Sequence, residues 1–150
     1  MQALDLTAGP PRRWTEELGK IRWLPRLIDK TAAALAGTLG DYLYGQSPVD
    51  RGLLRAFGLR YGEFTKIVAG ADDDAAVLEA LQARVPAGVE RARAWSAALP
   101  RTHGLFLFVL DLDDGYLGGG WRVLKAPTNL VANAFTRWLK RRFPSKAAQL

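Results

Sequence analysis

The chain has 150 residues, 49% of them apolar and 24% charged, and it contains no cysteine. Those values suit one globular domain able to bury about 70% of its unfolded surface, and they exclude disulfides, thiolate metal sites and thiol nucleophiles. Net charge is +6, yet residues 1–115 carry 14 basic against 15 acidic side chains; from Tyr116 onward seven Lys and Arg stand with no Asp or Glu.

In chain order, Gly9, Pro10 and Pro11 make residues 1–20 an irregular arm, pinned to the body through Leu4, Leu6 and Trp14. The opening residues lack the continuous apolar run of a secretory signal. The longest apolar run, Leu105–Leu110, is too short to span a bilayer, so a soluble cytoplasmic protein without a transmembrane segment is expected. Residues 21–150 are read as one helical domain ending in a basic helix.

Pro25 suits a first helical turn, and Ile28, Ala32 and Leu35 recur on one face of a helix that Gly37 stops. Ser47-Pro48-Val49-Asp50 is a helix start, with Asp50 reaching back to complete a capping box. That helix runs through Leu53, Leu54 and Phe57 to Gly58. A short helix through Glu63, Phe64, Ile67 and Val68 ends at Gly70. Asp72, Asp73 and Asp74 open the next, with Ala75, Leu78, Leu81 and Val85 on its apolar side. Pro86 begins another, which Pro100 is expected to end, leaving His103 in a turn. Leu105–Asp114 fits either a buried helix or the first half of a hairpin turning at Asp-Gly. Beyond Pro127 the apolar set Leu130, Val131, Ala134, Phe135, Trp138 and Leu139 opposes Asn133, Thr136, Arg137, Lys140 and Arg141, an amphipathic helix with a basic outer face.

The fold class expected is mainly α, a single compact domain of five to seven helices. The alternative is α+β with a hairpin near residues 105–124.

Most enzyme templates fail on inventory. His103 is the sole histidine, so a multi-histidine zinc site is impossible. No Gly-x-Ser-x-Gly elbow or Walker loop occurs, and Gly118-Gly119-Gly120 lacks the Lys-Ser/Thr of a phosphate cradle. Asp111-Leu112-Asp113-Asp114-Gly115 echoes a calcium loop, but its glycine stands fifth instead of sixth and the twelfth residue is Arg122. The reading leans away from an enzyme, with no catalytic residue, metal or cofactor assigned.

Arg26–Asp50 holds a dense polar set: Arg26, Asp29, Lys30, Asp41, Tyr42 and Tyr44. Arg22, Arg26 and Lys30 are spaced to share one stripe, and Asp29 is spaced to pair with Arg26. Such groups build an internal polar network or a pocket for an anionic or hydroxylated ligand. The expected function is therefore a non-enzymatic binding or interaction module centred on these six residues, its partner a small anionic ligand or a protein. The alternative is nucleic-acid or anionic-surface binding through Arg137, Lys140, Arg141 and Arg142, recognisable by steep weakening with salt.

These stretches carry a resemblance. Asp5-Leu6-Thr7 with Pro10-Pro11, Leu18-Gly19, Arg26-Leu27-Ile28-Asp29-Lys30, Leu35-Ala36-Gly37, Gly40-Asp41-Tyr42-Leu43-Tyr44, Ser47-Pro48-Val49-Asp50 and Glu63-Phe64 resemble a bacterial family of small proteins classed as a domain of unknown function. Leu110–Gly115 is similar to that family's acidic ending. Two departures stand out: the family's Cys-Pro is Ser47-Pro48 here, and the positions after the Ile-Asp-Lys motif where it has basic residues are Ala32 and Ala34. The resemblance implies a mainly helical fold and helix over Leu105–Leu112. It brings no activity with it.

Overall fold

A computed structural model describes residues 3–45 and 47–117. Within them lie five helices: α1 (Leu24–Ala36), α2 (Pro48–Phe57), α3 (Tyr61–Ala69), α4 (Asp74–Arg84) and α5 (Pro86–Asp113). Two-residue strands β1 (Glu17–Leu18) and β2 (Ile21–Arg22) pair antiparallel, with Glu17 opposite Arg22 and Leu18 opposite Ile21. The protein is mainly α and forms one compact domain.

Local signals set the helix ends. Gly37 takes the left-handed conformation (φ 74°) at the close of α1, where its N–H reaches back to Ala33 and Ala34 carbonyls. Ser47 caps α2 by accepting from the Asp50 N–H, and Asp73 caps α4 by accepting from Ala76 at 2.8 Å. Apolar faces then meet in one core. Trp23, Leu24, Leu27 and Ile28 from the start of α1 pack with Leu53, Leu54 and Phe57 of α2, Phe64 of α3, Val77 and Leu81 of α4, and Val89 and Leu99 of α5. Each such side chain, fully buried, contributes about 1.5–3 kcal/mol.

Helices α2 and α5 cross closely because each supplies a glycine. A methyl group on Gly88 would fall inside van der Waals distance of the Phe57 carbonyl, and one on Gly52 would meet the Trp95 indole. The tight crossing draws the α5 backbone against the C-terminal end of α2.

Several expectations need correction. Pro100 does not end its helix: α5 runs on to Asp113, kinked where His103 departs from helical geometry (φ −131°, ψ 18°). The Thr102 hydroxyl lies 3.2 Å from both the Ala98 and Leu99 carbonyls, supplying a donor where the ladder is broken. His103 sits at this kink, between two helical halves, its Nδ1 2.7 Å from the Thr102 hydroxyl. Residues 105–113 are helix, so the hairpin alternative fails over that stretch. The run is one-sided: Leu107 is buried, while Leu105 (80%), Phe106 (43%) and Phe108 (39%) remain accessible.

Leu35, assigned to the apolar face of α1, is 52% exposed. In α4 the buried positions are Val77 and Leu81, and Ala75 is exposed. The expected basic C-terminal helix lies outside the described residues. Among the described residues no helix is long and apolar enough to cross a membrane.

Candidate functional site

The site grows from Trp23. This residue enters α1 in the left-handed region (φ 69°), a conformation that costs a non-glycine residue about 1–2 kcal/mol. It is held there by complete burial of its ring and by its indole N–H, which donates to Asp50 Oδ1 at 2.7 Å. Strain retained by surrounding contacts is a recurrent mark of functional positions.

One helical turn apart, Arg26 and Lys30 share a face of α1 and both lie over that indole, with Arg26 Cζ 5.4 Å and Lys30 Nζ 5.5 Å from the ring centroid. Both are buried to within 3% of full enclosure. Lys30 Nζ donates to both Asp50 oxygens (2.6 and 2.5 Å) and to the Leu43 carbonyl (3.3 Å), which engages three donors. Burial holds the ammonium pKa below its ordinary value, against the opposing pull of Asp50.

Arg26 stands 2.8 Å from Asp114 Oδ2 and donates to the Arg12 carbonyl at 3.1 Å and the Pro11 carbonyl at 3.4 Å. The Asp114 contact is an ion pair without hydrogen-bond alignment, and Arg26 Nε and Asp114 Oδ2 are both buried without a hydrogen-bond partner. Tyr42 completes this end. Its ring lies 5.6 Å from Arg26 Cζ, and its hydroxyl donates to Asp114 Oδ1 at 2.9 Å. Burial, then the adjacent Asp114 charge, raises the Tyr42 phenol well above 10 and keeps it protonated.

Asp29 points elsewhere. Its carboxylate takes the Arg12 backbone N–H at 2.8 Å and the Arg12 guanidinium at 2.7–3.0 Å. Arg12 in turn reaches Asp74 on α4 and the Pro25 carbonyl at 3.2 Å. Burial opposes the Arg12 charge, but hydrogen bonds to Asp74 and Asp29 outweigh it and raise the pKa. Next to it, Arg13 donates to Asp111 through Nε (3.1 Å) and its terminal nitrogen (2.7 Å), and the Trp14 indole donates to the same carboxylate at 3.0 Å. The Tyr116 hydroxyl donates to the Pro11 carbonyl at 2.8 Å. Residues 11–14 are thus clasped to α1, α4 and the end of α5.

Tyr44 belongs to a third place. Its hydroxyl bonds Thr65 on α3, and its ring stands edge-on to Tyr61 with centroids 5.5 Å apart. Burial raises its phenol pKa as well.

Above the Trp23–Arg26–Lys30 floor opens a cleft of about 800 Å³. One wall is Leu6 and Thr7 of the arm; another is Gly40–Leu43 with Ser47–Val49. The third is the far half of α5, through His103, Phe106, Val109, Leu110 and Asp113. The Phe106 ring stands 6.5 Å from Trp23, tilted by 41°. The six sequence candidates therefore divide. Arg26, Lys30, Asp41 and Tyr42 line the cleft, whereas Asp29 and Tyr44 hold its surroundings together.

One expected pairing and one expected stripe do not form. Arg26 pairs with Asp114 instead of Asp29, and Arg22 lies in β2, paired with Glu17, off the Arg26–Lys30 stripe. Asp50 is expected to complete a helix cap, yet its carboxylate is fully buried between Lys30 and Trp23, and only its N–H takes part in the cap. Sequence reasoning also missed Trp23, Arg12 and Asp114. The first two carry no spacing signal, and Asp114 stands inside a run of aspartates that reads as a turn. Arg137, Lys140, Arg141 and Arg142 lie outside the described residues. Among the described residues no three His, Asp or Glu side chains stand together as a metal site.

No match was found among curated proteins. Residues 8–103 match a family model described as a domain of unknown function, DUF5069, a span that takes in the clasped arm, all of α1 to α4 and the floor of the cleft, and ends at the α5 kink. The chain belongs to the DUF5069 family.

Proposed function

We propose that this protein is a non-enzymatic binding module whose ligand occupies the cleft above Trp23, Arg26 and Lys30. The observation that carries the reading is the cleft itself: about 800 Å³, within the range of small-molecule sites, mostly apolar in its walls and built on a floor locked by buried ion pairs. A floor fixed by paired charges and a strained tryptophan is pre-organised, which lowers the ordering cost of binding. Chemistry is a poorer fit. Two groups of the cleft that acid–base chemistry would draw on are already engaged: Lys30 donates to Asp50 and Leu43, and Tyr42 donates to Asp114.

Titration with Nile red, an uncharged apolar dye, tests the reading. The native protein is expected to bind it saturably at one site with a rise in fluorescence. Absence of binding, or a signal that never saturates, contradicts it.

A further inference from the structure

We propose that the cleft accepts an uncharged, largely apolar small molecule bearing one or two hydrogen-bonding groups, and that it discriminates against free carboxylates. The inference rests on the binding reading above and names the ligand's chemistry.

Two buried cations under a cleft look at first like an anion site, and the ion pairing argues otherwise. Lys30 is closed by both oxygens of Asp50, a residue with no exposed surface, and by the Leu43 carbonyl. Arg26 is countered by Asp114, whose side chain is 1% exposed, and its Nε is sealed from solvent. An incoming carboxylate gains little from charges already neutralised at contact distance. To reach Lys30 it would have to displace the buried Asp50 and leave that carboxylate without a counter-ion, an arrangement strongly disfavoured away from water. The lining adds no positive excess, since Asp41 and Asp113 balance Arg26 and Lys30.

Apart from Asp41 and Asp113, the walls offer hydroxyl, imidazole and apolar groups. Thr7 and Ser47 contribute hydroxyls, the first donating to Asp5 and the second accepting from the Asp50 N–H, and His103 contributes an imidazole. Phe106, Val109 and Leu110 supply the apolar side, and Phe106 is 43% exposed, so burying it against a ligand releases water from a large ring.

Calorimetric titration of the full chain with 1-octanol and with octanoate, at neutral pH and below the micelle concentration, separates the cases. Octanol is expected to bind saturably, and octanoate at least about tenfold more weakly. Phe106→Ser, at an accessible position outside the buried core, is expected to weaken octanol by a similar factor. Octanoate binding as tightly as octanol overturns the proposal, and so does octanol binding unchanged by Phe106→Ser. Failure of both alcohol and acid while Nile red still binds overturns the discrimination between alcohol and carboxylate; failure of Nile red as well brings down the binding reading.

Discussion

Lys30 places an ammonium in an environment that disfavours its charge, and the protein keeps it there only because Asp50 is equally buried and 2.5 Å away. A pair of that kind stabilises little relative to a hydrophobic pair, but removing one partner strands the other, at about 3–5 kcal/mol. Lys30→Met and Asp50→Asn are therefore each expected to destabilise the fold by about that amount. The double variant should lose much less than the sum, leaving a coupling of at least about 2 kcal/mol in a double-mutant cycle followed by urea unfolding. Additive losses would mean that the two side chains are not a closed unit. At this scale the sequence was partly legible. It singled out Arg26 and Lys30 by their density and spacing, but Asp50 could not be separated from a capping residue, because an Asp at the third helical position satisfies the same pattern whether its carboxylate turns outward or inward. Asp114 was hidden for a related reason: its partner is 88 positions away, and no local pattern records a contact closed by tertiary packing.

Among the elements, the α2–α5 crossing decides where the cleft wall stands. Gly88 lets the two backbones touch, so Gly88→Ala must push α5 off Phe57. The expected cost is about 1–3 kcal/mol by urea unfolding, the usual range for overpacking. Gly62 is the matched control: it lies in α3 with open space where a Cβ would sit, and Gly62→Ala should be neutral or stabilising by up to about 1 kcal/mol. Equal losses at the two positions would remove the close crossing as the cause. Helix ends were readable from single residues, since Gly37, Ser47-Pro48, Gly58 and Asp73 act locally. Pro100 was misread because its rule is also local. The helix continues past it because distant anchors hold the far half of α5, namely Leu107 in the core and Asp111 under Arg13 and Trp14, and the Thr102 hydroxyl bonds the Ala98 and Leu99 carbonyls at the kink.

Over the whole molecule, the arm, the α1–α2 connection and the kinked end of α5 meet around one opening. The arm contributes wall and clasp together: Leu6 and Thr7 face the cleft while Arg12 and Arg13, a few residues on, bind Asp29, Asp74 and Asp111. Composition and periodicity foretold a mainly helical domain, because helix faces and stops are written every three or four residues. They could not foretell the cleft, which exists only where three segments far apart in sequence converge. The central claim is that this opening is the binding site and the clasp beneath it is structural. Methyl NMR during 1-octanol titration tests that claim most directly. The account predicts saturable shifts at the cleft methyls of Leu6, Leu43, Val49, Val109 and Leu110, with Leu54 and Leu81 in the deep core unmoved. Shifts confined to the exposed Leu4, Leu35 and Leu105, or shifts that grow without saturating, would contradict it.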